Sequence, residues 1–86
     1  MKPTLRKCAN RMIIIGEIRH YIFWRKKFEL IIFFTPIKNK IIDYEIDGIN
    51  IKKLDIDLSF GAKLSSLIEW SKKNGFRYFK IEKFTR

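Results

Sequence analysis

The chemistry-bearing residues of this chain are cations set among aromatic rings. Arg19, Tyr21, Trp24, Arg25, Lys26 and Lys27 crowd one stretch, and Lys72, Lys73, Arg77, Tyr78 and Lys80 crowd another. Side chains alternate between the faces of an extended strand. A strand over residues 17–24 therefore puts Arg19, Tyr21, Phe23 and then Arg25 on one face, with Ile18, His20, Ile22 and Trp24 on the other. Near the C-terminus, Arg77, Phe79, Ile81 and Lys83 oppose Phe76, Tyr78, Lys80, Glu82 and Phe84. Rings between cations suit single-stranded nucleic acid, because each ring stacks on a base for ~1–3 kcal/mol while the cations follow the phosphates. The predicted polyanion-binding set is Arg19, Arg25, Lys26, Lys27, Lys72, Lys73, Arg77 and Lys80, with Tyr21, Trp24 and Tyr78 as stacking residues. Core packing and solubility also enrich strands in aromatics and surfaces in lysine, so the pattern points to an acidic partner without choosing its kind.

Other candidates are weaker. In Asp57-Leu58-Ser59-Phe60-Gly61-Ala62-Lys63, a turn before a helix with Lys63 in its first turn has the makings of an anion cradle. It lacks the glycine spacing of a P-loop, and Ser59 or Gly61 is more simply a helix cap. Asp55 and Asp57, two apart on a predicted strand, point the same way, as do Asp43, Glu45 and Asp47. A catalytic Mg²⁺ needs a further ligand or a poised base, and the sequence shows neither. The segment 74–81 partly follows an RNA-recognition signature of alternating aromatics, but Asn74 stands where a base is required and Arg77 where a small residue is. His20 lies between apolar neighbours and reads as a core or partner-bonded histidine, and Cys8 reads as a small apolar residue. No catalytic residue, metal ligand set or cofactor is assigned.

The charge behind these clusters is large. Nineteen Lys and Arg against nine Asp and Glu give +10 over 86 residues, with a pI near 10.0. Residues 1–40 carry +8, residues 41–61 carry −3 and residues 62–86 carry +5. A single cysteine permits no internal disulfide, and one Cys with one His cannot build a four-ligand zinc site. The longest apolar runs, residues 30–34 and 12–15, fall far short of the ~20 residues of a spanning helix. A cytoplasmic location is the expectation.

Several elements must position the clusters. Leu5, Cys8, Ala9 and Met12 at helical spacing predict a short helix within the N-terminal segment 1–15. Residues 17–24 and 28–34 predict strands, joined by Arg25-Lys26-Lys27, with Pro36 ending the second. That second strand is apolar on both faces, which places it centrally in a sheet. Asp47-Gly48, between alternating runs, predicts a two-residue hairpin turn pairing Ile46 with Ile49, Tyr44 with Ile51 and Asp43 with Lys52. A strand over 54–58, a helix over 62–74 closed by Gly75, and a strand over 76–84 follow, the strand–helix–strand run being a natural parallel unit. The expected fold is a single small α+β domain spanning 1–86. It has a four- to five-stranded mixed or mostly antiparallel sheet, with one crossover helix packed on one face.

Three functions fit. The leading one is a non-enzymatic module binding nucleic acid or a nucleoprotein complex. The rivals are an interaction module, inhibitor or adaptor docking on an acidic protein surface, or a homo-oligomer in which the −3 block meets a basic neighbour, and a compact toxin-like ribonuclease using His20 or Tyr78. Abundant Ile and Lys match an AT-rich genome, and the size suits a mobile-element or phage gene.

Overall fold

Side chains branched at Cβ pack well on a pleated surface and lose rotamer freedom in a helix, and the chain places Ile13, Ile14 and Ile15 in a row. They fall in strand β1 (Asn10–Tyr21). The computed structural model describes residues 9–21 and 24–81, and the backbone alone for His20 and Tyr21. After β1 come β2 (Trp24–Phe34), β3 (Ile41–Asp47), a 3₁₀ turn (Ile51–Lys53), helix α1 (Leu64–Lys73) and β4 (Arg77–Ile81). The sheet order is β3-β2-β1-β4, and each neighbouring pair is antiparallel. The domain is thus α+β, a four-stranded antiparallel sheet with one helix on it.

Both central strands are apolar on both faces, as burial in mid-sheet requires. On the helix side, Met12 and Ile14 of β1, Phe28, Leu30, Ile32 and Phe34 of β2, and Ile41 of β3 pack against Leu54, Leu64 and Leu67. The opposite face has a smaller cluster of Ala9, Phe33 and Ile42, with Ile31 against it. Ile42 reaches that side because the β2–β3 register shifts between Phe33 and Phe34, leaving one extra residue on β3.

Helix α1 lies along the sheet from the β2–β3 turn towards the far ends of β1 and β2. Its first N–H, that of Leu64, donates to the Asn39 carbonyl at 3.0 Å. That bond does the work expected of a side-chain cap: Lys63 occupies the N-cap position without a side-chain bond, and Ser59 instead donates its N–H to Asp57 Oδ1 at 3.0 Å. The predicted anion cradle at 57–63 is therefore a turn whose helix N–H is already used. At the other end the predicted glycine stop holds. Gly75 has φ +74°, its N–H bonds to Lys72 O and that of Phe76 to Ser71 O, and Phe76 packs on Trp70. These are the two bonds and the apolar contact of a Schellman motif.

Other expectations change. The helix expected within 1–15 gives way to strand from Asn10 onward, because the isoleucine run supplies a two-faced central strand; residues 1–8, with Cys8, lie outside the described residues. Arg25-Lys26-Lys27 is not a connection but part of β2. Asp47-Gly48 makes no hairpin. β3 pairs instead with β2, Ile46 opposite Leu30 and Tyr44 opposite Ile32, which buries both side chains against the core rather than against each other's polar neighbours. Residues 55–59 form no strand, so Asp55 and Asp57 do not share a strand face. β3 and β4 sit at opposite edges, so the chain between them crosses the helix side of the sheet and no parallel pair forms. β4 is described as far as Ile81, the rest of the 76–84 strand lying outside the described residues. Among the described residues, no helix is long and apolar enough to cross a membrane.

Candidate functional site

The sheet is uneven in length, and that creates the site. Among the described residues β4 pairs with β1 from Arg11 to Ile15, and β3 pairs with β2 from Glu29 to Phe34. Beyond those limits β1 and β2 pair with each other alone, Gly16 with Phe28, Glu17 with Lys27, Ile18 with Lys26, Arg19 with Arg25 and Tyr21 with Trp24. Six residues at ~3.3 Å each make a two-stranded ribbon about 20 Å long. It accounts for the elongated outline of 45 × 23 × 20 Å.

The root of the ribbon is fastened to the helix by aromatic rings. Phe76 meets Phe28 edge-to-face, centroids 5.1 Å apart, and meets Trp70 at 5.2 Å. Gly16 lies under these rings, and a Cβ there would fall 2.8 Å from Phe28 Cζ and strike Phe76 Cδ1. Ile18 packs against the same cluster. On the neighbouring edge, Gly48 at φ +105° brings the end of β3 against the backbone of Lys27 and Phe28, too close for any side chain. Past Ile18 nothing described backs the ribbon.

Beyond its root the ribbon is cationic. Arg19, Arg25, Lys26 and Lys27 are all exposed, and Glu17 is the one acid between Gly16 and Phe28 among the described residues. Arg25 Nη1 lies 3.9 Å from Glu17 Oε1, a long and solvated pair that restrains Arg25 more than it stabilises the fold. Arg19 and Arg25 do share a face, as predicted, but as direct cross-strand partners rather than as neighbours along one strand. Lys27 lies on that face too, and Lys26 on the other. Trp24 is 68% exposed. The side chain of Tyr21, its cross-strand partner, lies outside the described residues, as does that of His20.

Of the C-terminal candidates, Arg77 and Lys73 border the ribbon, and Lys72 is placed only at the helix end. Arg77 opens β4 opposite Ile15 and borders, with Arg25 and Lys27, a groove of about 420 Å³ on the side away from the helix. Lys72 and Lys73 end α1, and Lys73 borders a groove of about 340 Å³ on the helix side with Ile18 and Trp70. Part of their charge compensates the negative end of the helix dipole. Lys53 lines the same groove with Asp55; it was not among the sequence candidates, because the predicted hairpin took Lys52 as a strand partner of Asp43, whereas both lysines end a 3₁₀ turn. Two candidates do not join. Tyr78 faces the helix side opposite Ile14 and packs against the core, so its ring presents no stacking surface. Lys80, opposite Met12, is three residues further from the ribbon, about 10 Å along the strand.

The acids form a separate edge. Asp43, Glu45 and Asp47 lie on the side of β3 away from the helix, next to Phe33, Ile31 and Glu29. Among the described residues no three His, Cys, Asp or Glu side chains are grouped to hold a metal ion. No protein-family model, curated protein or solved structure matches the chain.

Proposed function

We propose that this domain is a non-enzymatic nucleic-acid-binding module whose contact element is the β1–β2 ribbon. The carrying observation is the pairing of Arg19 with Arg25. Like charges directly opposite on a two-stranded ladder destabilise it, and Glu17 is the one acid seen near them among the described residues. A phosphate or another anionic group between the two guanidiniums removes that repulsion, and planar guanidiniums bind phosphate through two parallel hydrogen bonds. Lys26, Lys27, Arg77 and Lys73 surround the pair on both faces, which gives a basic footprint larger than one small anion requires. The test is equilibrium binding of labelled nucleic acid to the wild type and to a variant carrying Arg19→Gln and Arg25→Gln, at low salt, with thermal melting as a folding control. At least a tenfold loss of affinity in a folded variant supports the reading. Equal affinity of wild type and variant overturns it.

A second reading rests on the sheet face away from the helix. Ile15 is 37% and Phe79 49% exposed there, with Ile13, Ile31 and Ile81 in adjoining positions. Asp47 lies at one edge of this face and Arg77 at the other. A two-fold axis along the strand direction stacks two such faces so that Arg77 of one copy meets Asp47 of the other, and the apolar strips meet between them. Sedimentation of the wild type and of Phe79→Lys distinguishes the cases, a dimer that dissociates in the variant supporting this reading and a wild-type monomer at high concentration overturning it.

A further inference from the structure

Resting on the nucleic-acid reading, we infer that the ribbon recognises double-stranded B-form DNA by entering its major groove. The dimensions agree. A two-stranded β-ribbon fits a groove about 12 Å wide and 8.5 Å deep, and the length that nothing described backs, from the Ile18–Lys26 pair to the Tyr21–Trp24 pair, amounts to roughly 10 Å. The distribution of charge agrees as well. A platform for a single strand gathers its cations and rings on one face, whereas here Arg19, Arg25 and Lys27 occupy one face and Lys26 the other. Both walls of a groove would therefore meet a cation.

The root supplies the flanking contacts. Arg77 stands on one side of the ribbon and Lys53 and Lys73 on the other, where the two phosphate backbones bordering a groove would pass. In that placement the Arg19–Arg25 pair lies against one wall of the groove, where a phosphate seats between the two guanidiniums. The alternatives fit less well. Single strands are held by successive rings, and Tyr78, a candidate stacking ring, faces the core instead. Double-stranded RNA has a major groove too deep and narrow for side chains to read.

The test compares binding of the full chain to three labelled probes of one length and base sequence: duplex DNA, single-stranded DNA and duplex RNA, all at one salt concentration. Duplex DNA is then challenged with methyl green, a major-groove dye, and with netropsin, a minor-groove ligand. The inference expects duplex DNA to bind at least tenfold tighter than either other probe, and to be released by methyl green but not by netropsin. Arg19→Gln and Arg25→Gln, tested singly, are each expected to weaken duplex binding and to narrow its preference over duplex RNA. Equal affinity for all three probes, or displacement by netropsin alone, overturns the groove inference and leaves the nucleic-acid reading standing. Binding to none of them at low salt overturns both. Capture of an acidic protein in place of any nucleic acid does the same.

Discussion

At the scale of single residues, two positions separate what the fold needs from what the ribbon does. Gly16 is required by shape, because the Phe28 and Phe76 rings occupy the space of its missing side chain. Gly16→Ala is expected to destabilise the domain by about 1–3 kcal/mol, the usual cost of overfilling a packed site, seen as a lower denaturant midpoint with an unchanged slope. Arg19 has the opposite character. Relief of its repulsion with Arg25 is expected to make Arg19→Gln more stable by about a few tenths of a kcal/mol while it weakens nucleic-acid binding. A substitution that raises the melting temperature and lowers affinity marks a residue kept for function. Asp57 gives a pH signature. Its carboxylate accepts the Ser59 N–H, which holds its pKa below the usual 3.8. A lowered folded-state pKa means that the bond's contribution is fully present above that usual value and is lost as pH falls through the lowered one. The Ser59 amide resonance should therefore stay constant at neutral pH and shift in acid with a midpoint below 3.8.

At the scale of elements, legibility followed how many partners a segment has. β2 was readable as a central strand because Leu30 to Phe34 leaves neither face polar, and α1 was readable because its apolar spacing ends in Lys72-Lys73-Asn74-Gly75. Asp47-Gly48 carries a hairpin signal, but the glycine's positive φ serves a close approach to Lys27 and Phe28, and the long β2 strand offers Tyr44 and Ile46 a better surface than residues 49–51 could. Arg25-Lys26-Lys27 resembled a turn because a polar triplet is foreign to a sheet interior. In a two-stranded ribbon both faces meet solvent, so such a triplet is compatible with strand. The cationic residues of the site were thus visible in sequence, while the ribbon that collects them was not, since it depends on where β3 and β4 stop pairing. This layout predicts an exchange gradient. Backbone amides of β1 from Met12 to Ile15, hydrogen-bonded in mid-sheet, should exchange with deuterium much more slowly than those of Arg19 and Lys26. Phe76→Ala, which removes the ring linking Trp70 and Phe28, should speed exchange at Gly16 and Ile18 first.

At the scale of the whole molecule, the +10 charge is resolved into a geometry. Acids line the β3 edge, cations dominate the ribbon while Glu17 and Asp55 border the grooves at its root, and the aromatic cluster at Gly16 ties the ribbon to the helix end that carries Lys72 and Lys73. A domain so divided has a cationic end at the ribbon and an opposite end, where α1 begins, occupied by the β2–β3 turn. The most direct measurement is a salt titration of duplex DNA binding by the wild type and by the Arg19→Gln, Arg25→Gln double variant. Engagement of about five phosphates by the clustered cations predicts a slope of log affinity against log salt near −4.5 for the wild type. The account predicts that the double variant binds at least tenfold more weakly at low salt and with a shallower slope. A wild-type affinity that is flat with salt, or a double variant that binds as tightly as the wild type, would contradict it.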